Sequence, residues 1–291
     1  MRIKLGVHGP RALTSCFCLL VSFPPFLLGA ARADENFIDS PMYKSPALPA
    51  APRVVTIFPE KALDLWLKAL ERPEADLKCK AADAIALAHR RGVKGLQRTI
   101  APLKAAFDRE DQHPDARMAV ARTLIELDAH EAAPSLSNQA RLGSRQLRDL
   151  VEPALARWDY RPARTAWLER LRDPATPQRS LVRTIQLLTA VREEQATGRM
   201  LEIVRSDQLV AAVRLEAARA LGALRREGLE PDAERLVDSR NVALRLAAAS
   251  LVASHRSKEA ARLLLRLTED PEPGVVAPAA GTVVAIDPIA A

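Results

Sequence analysis

Residues 212–224 read Ala-Val-Arg-Leu-Glu-Ala-Ala-Arg-Ala-Leu-Gly-Ala-Leu. Val213, Ala217, Ala220, Leu221 and Leu224 follow the spacing of one helix face, whereas Arg214, Glu216 and Arg219 fall on others. The same unit recurs, degenerate, along most of the chain. Aligned on one apolar residue near the middle of each copy, the anchors are Ile85, Leu124, Leu155, Leu188, Leu221, Leu251 and Val283, separated by 39, 31, 33, 33, 30 and 32 residues. A helical unit with a period in that range predicts a stacked array, in which each unit buries its apolar face against its neighbours. The fold class is therefore all-α: an α-solenoid of about seven helical pairs.

Each copy is preceded by a second helical stretch, as at 63–70, 96–107, 163–172, 200–205 and 260–268. Polar turns join the two, as at Arg72-Pro73-Glu74, His113-Pro114-Asp115, Asp173-Pro174 and Asp270-Pro271. Proline at such a place stops one helix or starts the next, where its missing N–H is one that no helix would use. Pro153 lies inside a repeat helix and predicts a kink there.

These motifs resemble the HEAT-like repeats of the bilin-lyase (phycobilisome lyase) type, whose pattern runs roughly Asp-Pro-x-Val-Arg-x-x-Ala-Ala-x-Ala-Leu-Gly. Val213-Arg214 and Ala217-Ala218-Arg219-Ala220-Leu221-Gly222 match it well, and residues 80–86 and 246–251 match in part. Asp270-Pro271 opens the last copy in the same way, but Val276 and Ala277 then stand where arginine is expected. The resemblance covers roughly residues 61–287. It implies a binding scaffold; a bilin-lyase-like activity is the enzymatic alternative, and nucleic-acid binding on a basic inner face, as in HEAT-like DNA glycosylases, is the other.

Composition fits the helical reading. The chain is 48% hydrophobic but 4% aromatic, which suits closely packed small helices better than a sheet sandwich. Its formal charge of +7 is inflated by its start: residues 1–33 hold Arg2, Lys4, Arg11 and Arg32 and no acid, and without them the net charge is +3. That balance argues against a nucleic-acid partner.

The first 33 residues have the pattern of an export signal: a basic start, an apolar run at 16–28, and Ala31-Arg32-Ala33 as a small-x-small cleavage site before Asp34. The expected organisation is a signal peptide at 1–33, a proline-rich linker at 34–60, the repeat array at 61–287 and a tail at 288–291. The expected location is periplasmic or secreted, with no membrane span once the signal is removed, because no later apolar run approaches ~20 residues. Cys79 is the single thiol beyond the signal, so no internal disulfide is expected there.

Two groups of residues are candidates for partner binding. The first is a basic column seven residues ahead of the anchors: Lys78, Arg117, Arg148 and Arg214, with Leu181, Leu244 and Val276 in the remaining copies. It reads either as a stripe on the concave face for an acidic partner or as a ladder bonding helix ends and carboxylates between units. The second is Trp158, Tyr160 and Trp167, interleaved with Arg161 and Arg164: side-chain types that dominate interfaces, or else fillers of an irregular repeat. Tyr160, in a turn, is the expected accessible member.

No catalytic, cofactor or metal residues emerge. His130-Glu131 begins like a zinc-protease motif, but Pro134 stands where the second histidine belongs, and neither a nucleophile elbow nor a phosphate-binding glycine loop is present. The sequence reads as an exported, non-catalytic scaffold that binds another exported or envelope protein.

Overall fold

The computed structural model describes Phe58 and residues 61–286. The expected signal peptide at 1–33, the expected tail at 288–291 and, apart from Phe58, the expected linker at 34–60 lie outside the described residues. Phe58 packs edge-on to Trp66, ring centroids 5.7 Å apart.

Fourteen α-helices follow, in seven pairs, and no strand occurs among the described residues. The pairs are α1 (Ala62–Glu71) with α2 (Ala75–Arg90), α3 (Ile100–Asp108) with α4 (Pro114–Glu126), and α5 (Ala133–Leu142) with α6 (Arg145–Arg157). Then come α7 (Arg161–Arg172) with α8 (Gln178–Ala190), α9 (Thr197–Arg205) with α10 (Ala211–Leu224), α11 (Glu230–Val237) with α12 (Val242–Val252), and α13 (Lys258–Thr268) with α14 (Pro273–Ile286). Each second helix packs on its own first helix and on the second helix of the next pair, so that α2, α4, α6, α8, α10, α12 and α14 form one continuous layer. The first helices form the other layer, meeting their neighbours closely only at α1–α3, α3–α5 and α11–α13.

The seven anchors expected from the sequence all lie on second helices and are all buried, from Ile85 at 0% exposure to Val283 at 9%. They belong to one continuous apolar core made chiefly of alanine and leucine. Small residues let the second helices approach closely, and Gly222 shows how closely. A Cβ placed there would stand 1.9 Å from the carbonyl oxygen of Ser250 on α12. Glycine at that position is a packing requirement of the α10–α12 contact; α10 itself gains nothing from it.

The first four second helices end alike. Gly92, Asp128, Asp159 and Arg192 each adopt a left-handed conformation, with φ of 74°, 54°, 52° and 50°. Each donates its N–H three residues back, and the following residue donates to a carbonyl five back: Val93 to Ala88, Ala129 to Leu124, Tyr160 to Leu155, Glu193 to Leu188. This is the Schellman closure of a helix C-terminus. In three of the four, the accepting carbonyl belongs to the anchor itself, which ties the turn of the chain to the core position that defines the repeat. Glycine is the residue that takes φ > 0 without strain, and three of these turns lack it.

α6 runs through Pro153 as one helix. Proline has no N–H to give to the carbonyl of Asp149, four residues back. That carbonyl accepts instead from Arg183 Nη2 on α8, one unit further along. A guanidinium of the next repeat thus completes the backbone bonding that the proline interrupts.

Candidate functional site

The basic column is drawn inward. Arg117 Nη2 donates to the carbonyl of Arg109 at the end of α3, at 2.7 Å. Arg148 Nε donates to Ala140 O in the last turn of α5, at 3.3 Å, and Arg214 Nε to Val204 O in the last turn of α9, at 2.9 Å. Each base, standing in the first turn of a second helix, therefore closes the C-terminus of its own first helix, where unpaired carbonyls and the helix dipole favour a cation. Arg214 is buried and also pairs with Asp207 at 2.9 Å. Lys78 is buried as well; its ammonium donates to Gln112 Oε1 of the next unit at 2.7 Å. Burial, and then the nearby Arg109 guanidinium, hold the Lys78 pKa below the usual lysine value. Of the two sequence readings of the column, the bonds these residues make are those of the ladder.

The column shifts register at one place. Leu244 holds the column position on α12, and the next residue does the work. Arg245 donates to Ser239 O at 2.9 Å, just past the end of α11, and grips Asp270 through two bonds of 2.6 and 3.0 Å. The Asp270 carboxyl is held below the usual carboxylate range chiefly by the bonds from Arg245. An arginine one residue from an empty column position was the available signal.

The aromatic group is dispersed by the fold. Trp167 is 1% exposed, and its indole N–H reaches Glu152 Oε1 at 3.2 Å, so it is a core residue and offers no contact surface. Trp158 is half-buried; it donates to Asp128 Oδ1 at 2.6 Å and lies against the His130 ring, bridging two units. Tyr160, expected to be accessible, is half-buried against the core at the start of α7 and borders a cleft of about 380 Å³ between α5 and α7. Arg164 joins Asp159 to Glu193 of its own pair. Only Arg161 of the five is exposed.

Buried acids are all engaged. Glu152 takes both guanidinium arms of Arg170, at 2.7 and 3.1 Å, and Asp232 those of Arg205, at 2.7 and 2.9 Å. Burial pushes the Glu230 carboxyl up, but bonds from Ser257, His255 and a backbone N–H outweigh it and bring the pKa to about 2. Cys79, between two lysines in sequence, has its thiol pushed up by burial and by Asp83 and Asp115. No group of three His, Cys, Asp or Glu among the described residues is arranged to hold a metal ion.

What remains open is the layer of second helices between α6 and α8. Arg145 in the first turn of α6 and Arg179 in the first turn of α8 flank a cleft of about 200 Å³, with Asp149 and Arg183 in its wall. It adjoins a second cleft of about 420 Å³ floored by Pro153, Ala156 and Leu187, with Arg157 at its edge. Sequence reading passed over these arginines because they fall in different registers of two irregular repeats.

Paired helices stacked in two layers, with bonds recurring between residues about one unit apart, define an α-solenoid of HEAT-like or armadillo-like repeats. No family model matches the chain, and no curated protein matches it. Among solved structures it is similar to the complex of CpcE and CpcF of phycocyanin lyase from Nostoc sp. PCC7120, with 18% identity, 82% of this chain and 100% of that chain covered, and a TM-score of 0.45. It is also similar to human deoxyhypusine hydroxylase in complex with glycerol, with 17% identity, 79% and 86% covered and a TM-score of 0.36. A designed armadillo repeat protein gives 13% identity, 77% and 100% covered and a TM-score of 0.35.

Proposed function

We propose that the protein is an exported scaffold that binds another exported or envelope protein and catalyses no reaction on it. The observation that carries this reading is the continuous layer of second helices, which lays an extended surface along seven units. Two further features support it. The buried carboxylates Glu152, Asp232, Asp270 and Glu230 are each bonded to an arginine, a histidine or a hydroxyl, so none is poised as a free acid or base. Arg117, Arg148 and Arg214 of the ladder are each turned to the end of their own first helix, which favours a structural use over a phosphate backbone. The export half of the proposal rests on the signal pattern of residues 1–33.

Cross-linking of the native protein in its own envelope, followed by identification of what is joined to it, tests this reading. A defined exported protein captured at the layer of second helices supports it. Turnover of a bilin, peptide or ester by the purified protein, abolished by a point substitution, would overturn it. Amino-terminal sequencing of the envelope form tests export: Asp34 at the start is the expected result, and an intact Met1 would refute cleavage.

A further inference from the structure

We infer that the paired clefts between α6 and α8 take an acidic peptide segment of about six residues, with carboxylates at its ends and an apolar side chain between them. The inference rests on the scaffold reading and names a surface and a partner chemistry for it.

Arg145 and Arg179 stand in the first turns of α6 and α8, where the helix dipole disfavours a cation. Neither first turn holds an acidic residue, whereas those of α2 and α4 hold Asp76 and Asp115. Both arginines are exposed, and among the described residues neither has a carboxylate partner. Both guanidinium groups are therefore open to an anion arriving from outside. In the cleft between them Arg183 is the third cation. Its Nη2 is held by the Asp149 carbonyl, and its Nε–H meets no acceptor in hydrogen-bond geometry, Asp149 Oδ1 standing 3.4 Å away. Asp149 is the sole acid lining this cleft.

Further along, the surface changes character. Pro153, Ala156 and Leu187 floor an apolar depression, and Arg157 closes it. The nearest acid to Arg157 is Asp128 at 3.6 Å, whose same oxygen already accepts from Trp158. From Arg145 to Arg157 is twelve residues of helix, about 18 Å along the axis at 1.5 Å per residue, with the two positions about 120° apart around it. Five or six extended residues span about that distance. A cationic end, an apolar middle and a second cation thus match one short acidic segment. A nucleic acid of the same length would meet no aromatic platform in these clefts, since no aromatic side chain lines them.

The test uses a fluorescein-labelled peptide, Gly-Glu-Asp-Leu-Leu-Glu-Gly, and its Gln/Asn analogue, with binding read as anisotropy on the full chain. The acidic peptide should bind at least tenfold more tightly than the neutral one and weaken as salt rises, because the arginines are exposed. The double substitution Arg145→Glu with Arg179→Glu should weaken binding at least tenfold. Arg240→Glu, at an exposed arginine outside the clefts, should change it less than twofold. Equal losses in the two variants would mean non-specific attraction and reject the site, as would a native protein that does not discriminate between the peptides. A single-stranded oligonucleotide that displaces the peptide more effectively than unlabelled peptide would reject the peptide assignment. An envelope partner cross-linked to the native protein at another surface would sink this site and leave the scaffold reading intact; capture of no partner at all would count against the scaffold reading itself.

Discussion

Replacing Gly222 with alanine sets two effects of opposite sign against each other. Within α10 alone, alanine is favoured over glycine by up to ~1 kcal/mol. Against α12, the new Cβ would lie 1.9 Å from Ser250 O and 3.0 Å from Ser250 C. An unstrained contact needs about 3.5 Å, so the two backbones must part by roughly 1.5 Å. Ser254 resists that shift, because its hydroxyl bridges the carbonyls of Gly222 and Arg225 across the same contact. Overpacking that moves backbone costs ~1–3 kcal/mol, and loss of the bridge adds ~1 kcal/mol. The net expectation for Gly222→Ala is a loss of about 1–3 kcal/mol, or several degrees in melting temperature for an array of this size. Gly198 supplies the control: it is an exposed helical glycine on α9, with nothing within 4 Å of a built Cβ. Gly198→Ala should gain up to ~1 kcal/mol. Urea unfolding followed by circular dichroism compares the two, and amide exchange should place the loss of protection in α10 and α12, since a repeat array transmits strain mainly to its neighbours. A Gly222→Ala protein as stable as the Gly198→Ala protein would refute the close-approach argument.

Other substitutions probe other joints. Arg245→Ala strands the buried Asp270 carboxylate and should cost ~3–5 kcal/mol at neutral pH, with the deficit shrinking in acid as Asp270 takes a proton; denaturation at two pH values measures it. Arg214→Ala removes a helix-end bond and a part-buried ion pair and should cost ~1–2 kcal/mol by urea unfolding. Arg192→Gly relieves a left-handed backbone at an exposed side chain and should raise stability by about 1 kcal/mol in a thermal melt. The Glu230 pKa is depressed from 4.5 to about 2, so its contribution is present above pH 4.5 and is lost as pH falls towards 2. That contribution is at most ~3 kcal/mol, and Glu230→Gln should flatten the acid limb of a stability–pH curve.

The repeat was legible because its period is carried by apolar anchors, and apolar burial is the strongest regular signal a sequence has. Ile85 through Val283 all reach the core as expected. The polar chemistry between units was less legible, for a geometric reason. An arginine side chain reaches several ångströms, so Arg245 does from the neighbouring register what Arg214 does from its own. Pro153 suggested a kink; its missing bond is answered by Arg183, thirty residues later, which no local pattern could reveal. The two tryptophans are close in sequence, where contact surface and core filling read alike. The fold then sent Trp167 inward to Glu152 and Trp158 backward to Asp128. The arginines between α6 and α8 escaped notice because Arg145, Arg179 and Arg183 stand ten, nine and five residues ahead of their anchors, outside the seven-residue column.

The bond from Arg183 to the Asp149 carbonyl bears on how such a chain can change over evolutionary time. Arrays of this kind lengthen and shorten by copying or deleting whole units, which works where every unit is self-sufficient. The unit built on α5 and α6 is not: copied without α7 and α8, it would carry Pro153 and an unanswered carbonyl beside whichever helix came next. Gene rearrangement should therefore pass these two units on together, as one cassette of double length.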